Sequence, residues 1–221
     1  MTAATIKGYR GMGMEGAVAR WYDRSTRKDM ERFRALAARL RTVLPQGGDM
    51  LEVAPGPGYL AIEMAKGGAY RVTGLDVSRT MVELGQGNAA EAGVEVDFRQ
   101  GNASAMPYAD ESFDLLACSA AFKNFSQPHR ALEEMYRVLR PGGTALVLDL
   151  RKDVPMSEIR KYFGAIGLST INRWMTLAAF RFMLLKRAYT RGQLERMLAD
   201  IPFRSKQIRL VDIGIELWLQ K

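Results

Sequence analysis

Gly56-x-Gly58-x-x-Ala61 has the spacing of a loop that turns tightly from a strand into a helix and opens its backbone to a ligand, and Asp76 stands twenty residues beyond Gly56. A carboxylate there can accept hydrogen bonds from both hydroxyls of a ribose, each charge-assisted bond worth about 1.5–3 kcal/mol. Taken alone, the spacing also fits a dinucleotide loop or an ordinary turn. Asn102, Ser119 and Asp149 extend the row of polar residues at successive strand ends, with Glu52 inside the first strand. Ligands of open parallel sheets bind outside those ends, so one crevice can collect all five, with Asn102-Ala103 at an adenine edge. No Arg or Lys in the row suits a pyrophosphate, although amides at a helix N-terminus can hold one unaided. Asp149 and Lys123 are the groups best placed to take a proton, while a capping role for Asp149 and a substrate-anchoring role for Lys123 stand beside that reading. His129 follows Pro128 at a helix start and reads as a surface residue, and Cys118 as an inert core thiol.

The elements that must position these groups alternate. Short apolar runs at 50–54, 70–76, 94–99, 114–119 and 144–150 read as strands, separated mostly by helical segments such as 128–140, where Pro128 suits a first turn. Alternation of this kind predicts a doubly wound, mostly parallel sheet with helices on both faces. Residues 27–44 carry apolar side chains at helical spacing, placing Trp21 and Tyr22 before the first long helix. Residues 156–189 read as helix and form an insertion after the fifth strand, a lid in which Trp174, Met175, Phe180 and Met183 stand beside Arg173, Arg181, Lys186 and Arg187. Thr190-x-x-Gln193 is the pattern of a capping box, and the last residues form two β-like stretches meeting near Gly214, an antiparallel hairpin that completes seven strands. The expected organisation is one domain: a helical cap over 1–45, a cofactor-binding core over 46–150, the lid over 151–189, and a last helix with closing strands over 190–221.

The chain has 221 residues and a net charge of +8, unevenly spread. Residues 1–50 hold 10 Lys/Arg against 5 Asp/Glu, 51–150 hold 8 against 13, and 151–221 hold 14 against 6. An acidic middle favours a cationic ligand, whereas uniform basicity would have pointed to nucleic acid. The single cysteine excludes an internal disulfide framework, and together with a first segment lacking an apolar core it leads us to expect a cytoplasmic protein. The lone histidine and the sparse carboxylates near the fifth strand speak against a metal site.

Four stretches, "MLEVAPGPGYLAIEMA", "VTGLDVS", "GNASAMPYADESFDLL" and "EEMYRVLRPGGTALVLDL", resemble in type and order the motifs of the class I S-adenosylmethionine-dependent methyltransferases, over most of residues 20–150. "AFKNF" followed by "MYRVLRPGG" is most similar to the quinone-biosynthesis C-methyltransferases. The resemblance implies S-adenosyl-L-methionine as cofactor, with Glu52, Ala54, Pro55, Gly56 and Gly58 around its positively charged methionine end. It further implies Asp76 and Val77 at the ribose, Asn102 and Ala103 at the adenine, Ser119 in the crevice and Tyr22 laid over the cofactor. Ala54 departs from the family's first glycine, and a negative φ is expected there, stiffened by Pro55 and Pro57. A small apolar or aromatic acceptor is expected, methylated by in-line displacement. Ser119-Ala-Ala-Phe122 in place of an Asn/Asp-Pro-Pro-aromatic stretch argues against a nucleic-acid acceptor. A membrane-surface helix would share the lid's pattern and is not the favoured reading. A nicotinamide-dependent oxidoreductase and a non-catalytic cofactor-binding module are the alternatives.

Overall fold

A computed structural model describes residues 8–10, 13–164 and 185–221 of the chain. The strands are β1 (Gly48–Val53), β2 (Tyr70–Asp76), β3 (Asp97–Gln100), β4 (Phe113–Ser119), β5 (Leu139–Leu150), β6 (Ser205–Val211) and β7 (Gly214–Gln220). They form one seven-stranded sheet in the order β3-β2-β1-β4-β5-β7-β6. The pairs from β3 to β5 are parallel, whereas β7 runs antiparallel to both β5 and β6. The order reverses between β1 and β4, so the loops leaving their carboxyl ends part there and open a crevice.

The helices are α1 (Gly16–Thr26), α2 (Met30–Val43), α3 (Tyr59–Ala65), α4 (Arg79–Glu91), α5 (Pro128–Val138), α6 (Met156–Gly164) and α7 (Arg191–Leu198). Phe33, Ala37 and Leu40 of α2 lie one turn apart and pack with α3 and α4 on one face of the sheet, onto Met50, Leu115, Ala117 and Leu146. α5 and α7 cover the opposite face, onto Leu51, Val53, Leu116, Cys118 and Val147. The strand period of two therefore assigns even residues of β1 to α3 and odd ones to α5, which sends Glu52 beneath α3. Pro128 occupies the first turn of α5, and Thr190 and Gln193 close the capping box of α7 as read from the sequence. No helix among the described residues is long and apolar enough to cross a membrane.

Phe98 sets the spacing on the α4 side. A Cβ added at Gly58, Gly74 or Gly85 would stand 2.4, 2.6 or 2.9 Å from its ring, so three backbones close directly onto one side chain.

Several boundaries differ from the sequence reading. Trp21 and Tyr22 lie within α1 itself, which 3-10 residues Arg27–Asp29 join to α2. β3 begins at Asp97, because Val94 and Val96 pack against the helical layer before the chain pairs with β2. β5 begins at Leu139, pairing with Phe113 before a register irregularity. Of the expected lid, α6 and residues 185–189 are described, and residues 165–184, which include Arg173, Trp174, Met175, Phe180, Arg181 and Met183, lie outside the described residues.

The expected backbone of Ala54 is overturned, since its φ is +57°. Ala54 N–H donates to the Leu75 carbonyl at 2.8 Å as the last ladder bond of β1, and Pro55 then closes the right-handed helical region to the residue before it. The chain leaves the sheet through a left-handed residue instead. β4 ends the same way: Ala120 N–H donates to Leu148 O at 2.8 Å and Ala120 has φ +60°. Both strands at the reversal thus turn out on an alanine in a conformation that costs an L-residue about 1–2 kcal/mol. Glycine removes that cost and returns about 0.4–1 kcal/mol as unfolded-state entropy. Ala54→Gly and Ala120→Gly should each raise stability by up to about 1 kcal/mol, a gain of a few degrees in melting temperature at this size. Urea and thermal melts check it, and a destabilised glycine variant would contradict the strain.

Candidate active site

The loop after β1 is tied to the end of β2 by Asp76. One oxygen of that buried carboxyl accepts from Gly56 N–H at 3.0 Å and the other from Ser78 N–H at 2.9 Å. Burial pushes its pKa up, against the lowering effect of these amides. Each oxygen retains a second lone pair, so the carboxylate can still accept two ribose hydroxyls. Ser78 caps α4 by accepting from Met81 N–H at 3.0 Å and donates to Met14 O at 2.6 Å, while the Glu15 carboxylate accepts from Arg79 N–H and Thr80 N–H at 3.0 Å each. The N-terminal segment is thereby pinned beside the end of β2.

Gly56 has φ +57°, and a Cβ added there would meet Tyr22 at 3.8 Å and Met81 Sδ at 4.0 Å, so Tyr22 faces the loop while Trp21 of the same helix is exposed. Pro55 packs over Gly74, and Gly58 turns toward Phe98 as the N-cap of α3. Glu52 is fully buried beneath α3, where Ala61 N–H donates to it, and among the described residues nothing donates to its Oε2. Burial raises its pKa to about 8, with Asp76 adding to the rise. An acidic group held neutral by the absence of a counter-charge suits a positively charged ligand above the loop.

Asn102 Oδ1 accepts from Ser104 N–H at 2.9 Å, which fixes the turn after β3, and Ala103 packs partly into the core beside it. Ser119 sits half-buried at the end of β4.

Beyond the reversal, Lys123 and Asp149 form an ion pair at 2.8 Å, each side chain only 5% exposed. Lys123 N–H donates to the same carboxylate at 2.7 Å, as does Leu150 N–H at 2.7 Å, and Lys123 Nζ also donates to the carbonyl of the left-handed Ala120 at 2.5 Å. The next residue, Asn124, is 9% exposed, and its Oδ1 has no partner among the described residues. Phe122 lies beneath, with ring centroids 5.5 Å from Phe125 and 5.7 Å from Tyr189.

Residues 8–10 cross both halves. A Cβ at Gly8 would touch Asn102 and Val77 at 3.1 Å, Tyr9 bridges to Phe125, and Arg10 N–H donates to Asn124 O at 2.7 Å. Sequence reading missed this strap, because Gly8-Tyr9-Arg10 has no periodicity to show that it pairs with a loop more than a hundred residues away. It also left Asn124 and Tyr189 without a role, although the Lys-Asn pair in "AFKNF" was the available signal. His129 lies away from this site at 2.9 Å from Asp200 on the surface.

Residues 51–147 match the family model described as a methyltransferase domain. A ubiquinone/menaquinone biosynthesis C-methyltransferase UbiE of Bdellovibrio bacteriovorus is 41% identical over 122 residues, covering 54% of this chain and 49% of the relative. That match spans about half the relative's length. Among solved structures, a Methanococcus maripaludis protein assigned to the S-adenosyl-L-methionine-dependent methyltransferases has a TM-score of 0.73 at 22% identity, over 96% of this chain and 97% of its own. The [4+2]-cyclase SpnF has a TM-score of 0.64 at 21% identity, over 99% of this chain and 87% of its own.

The state of Glu52 has a measurable consequence. Between its ordinary 4.5 and about 8, the unfolded chain gives up this proton while the folded chain keeps it, so its contribution to stability falls as pH rises through that window. Gln at this position has no proton to lose. The stability of the wild type relative to Glu52→Gln should therefore decline from pH 5 to pH 8 and level off above. Urea denaturation across that range gives the difference, and a pH-independent gap would mean that Glu52 is ionised when folded.

Proposed function

We propose that this chain, which belongs to the class I S-adenosylmethionine-dependent methyltransferases, methylates a ring carbon of a small reduced quinone or closely related phenol. The observation that carries this reading is the buried Asn124 oxygen, unpartnered among the described residues, which follows Lys123 of the Lys123–Asp149 pair in a loop that also holds the packed rings of Phe122 and Phe125. The likeness to a quinone-biosynthesis C-methyltransferase supports it.

S-adenosylmethionine, when bound, supplies a methyl carbon activated by a positively charged sulfur. Asp76 would hold its ribose, with Val77 flanking it and Asn102 and Ala103 toward the adenine. Tyr22 and the turn at Ala54–Gly58 enclose the methionine end, and Glu52 supplies negative charge below it once its proton is released. Ser119, at the end of β4, borders both halves of the crevice.

On the acceptor side, Asn124 Oδ1 would accept from one ring hydroxyl, and the neighbouring ammonium of Lys123 would stabilise the phenolate left when a second ring hydroxyl gives its proton to water. Increased electron density at the adjacent carbon makes that carbon the nucleophile. Its new bond to the methyl carbon forms as the bond to sulfur breaks, and the ring proton it carried passes to water. Both oxygens of Asp149 already accept from the chain, so we assign the Lys123–Asp149 pair to fixing a cation and its loop rather than to removing the proton. Most of the rate enhancement then comes from alignment.

Incubation with S-adenosylmethionine and a panel of hydroquinones, catechols, phenols and thiols tests the reading. The expected result is S-adenosylhomocysteine release with hydroquinones and a new carbon-bound methyl group by NMR. Methylation on oxygen or sulfur alone would overturn it. Asn124→Ala should raise the acceptor KM about tenfold, the loss of one buried hydrogen bond, with cofactor affinity unchanged.

A further inference from the structure

Beneath the glycine turn lies a polar network that the reaction chemistry does not use. Asp23 of α1 and Asn88 of α4 are buried, at 7% and 8% exposure. Tyr59 Oη donates to Asp23 Oδ1 at 2.6 Å, and Asn88 Nδ2 donates to the same oxygen at 3.0 Å. The same Nδ2 donates to the Pro57 carbonyl at 2.9 Å. Asn88 Oδ1 accepts from Arg27 Nη2 at 2.7 Å, so each end of the amide is committed and its orientation is set. Arg27 completes the outer side by donating to Tyr59 Oη at 3.1 Å and to Glu91.

The carbonyl held here belongs to the middle residue of Gly56-Pro57-Gly58. Pro57 has no N–H, so its carbonyl is the one backbone group through which that residue can be anchored. On its far side, Gly56 N–H is committed to Asp76. The turn is thus gripped from below through Pro57 and from the side through Gly56. Asp23 adjoins Tyr22 in α1, whose ring faces Gly56, so one carboxylate joins the placement of the N-terminal helix to that of the loop.

We infer that Asp23 and Asn88 are positioning residues for the cofactor loop: the Asp23–Asn88–Pro57 chain of hydrogen bonds holds the turn in its binding shape and makes docking of α1 and readiness of the loop one event. The inference rests on the reading of this loop as the S-adenosylmethionine site. A core hydrogen bond with no such role would affect folding alone, whereas this one sets the affinity of the folded protein.

The test is calorimetric binding of S-adenosylhomocysteine to the full chain, beside thermal melts. Asn88→Ala should weaken binding about tenfold or more in the folded protein, the loss of one hydrogen bond held in a buried network. Glu91→Gln, on the exposed outer side, should leave affinity within about twofold. The exchange Asp23→Asn with Asn88→Asp separates the two roles. An amide at 23 can donate to a carboxylate at 88, which restores the bridge between α1 and α4, but that carboxylate cannot donate to the Pro57 carbonyl and repels it. The exchanged protein should recover thermal stability relative to Asn88→Ala and still bind weakly. Wild-type affinity in either Asn88→Ala or the exchange would overturn the inference, whatever happens to the melting temperature. A wild-type chain that binds neither S-adenosylmethionine nor its product would instead overturn the cofactor reading and this assignment with it.

Discussion

Three carboxyl groups buried along the carboxyl edge of one sheet are the constraint around which this molecule is arranged. Glu52, Asp76 and Asp149 all act on the deeply buried thiol of Cys118, whose pKa is pushed well up by burial first and by these three groups in addition. Lys123 is the one buried Lys or Arg among the described residues. Burying uncompensated negative charge is prohibitive, so each carboxyl needs its own solution. Asp149 takes the lysine, Asp76 takes the amides of two loops, and Glu52 keeps its proton. The last solution leaves the β1 end of the crevice one positive charge short of ionisation. A cationic ligand there meets an environment already prepared for it, and the acidic balance of residues 51–150 is the sequence trace of that preparation.

Backbone geometry at the reversal follows from the same need. Asp76 can reach Gly56 N–H only if the chain leaves β1 abruptly, and Lys123 can reach Asp149 only if it leaves β4 abruptly. A left-handed alanine supplies each turn. The strain is held in place by ladder bonds on one side and by the carboxylates on the other, so the polar contacts that make the site also keep its backbone in an unfavourable region. Phe98 does comparable work from the core side, because its ring admits no side chain on the turn, on β2 or on α4.

This division explains what could be read in advance. The sheet, its covering helices, the final hairpin and the cap of α7 were legible because each rests on local periodicity or on a spacing of a few residues. The contact between the glycine turn and Asp76 was legible too, since Gly56, Gly58 and Asp76 lie within one strand-helix-strand unit. Ala54 was misread because residue type favours negative φ, and the restriction from Pro55 together with the tertiary demand of Asp76 overrides it. Tyr22 was read as an aromatic near the loop without α1 being seen, since α1 buries only Ala19 and Asp23 and carries little apolar pattern. Asp23, Asn88 and residues 8–10 act across separations of 31 to 179 residues, as in Asn88–Pro57 and Arg10–Tyr189, and no spacing rule reaches that far.

The two halves of the crevice therefore carry different kinds of information. The Asp76 half uses backbone amides, a buried carboxylate and glycines excluded from having side chains, all of which a shared fold can preserve whatever reaction follows. A neighbour of the same fold is a [4+2]-cyclase, so the fold alone does not determine chemistry. What distinguishes one activity from another must reside where β4 and β5 end. In this chain that place holds a fixed ammonium, an amide oxygen unpaired among the described residues, and aromatic rings in the same loop. An ammonium stabilises an oxyanion, an amide oxygen accepts a hydroxyl, and rings pack against a ring. Those three properties are the physical argument for the hydroxylated aromatic acceptor proposed above.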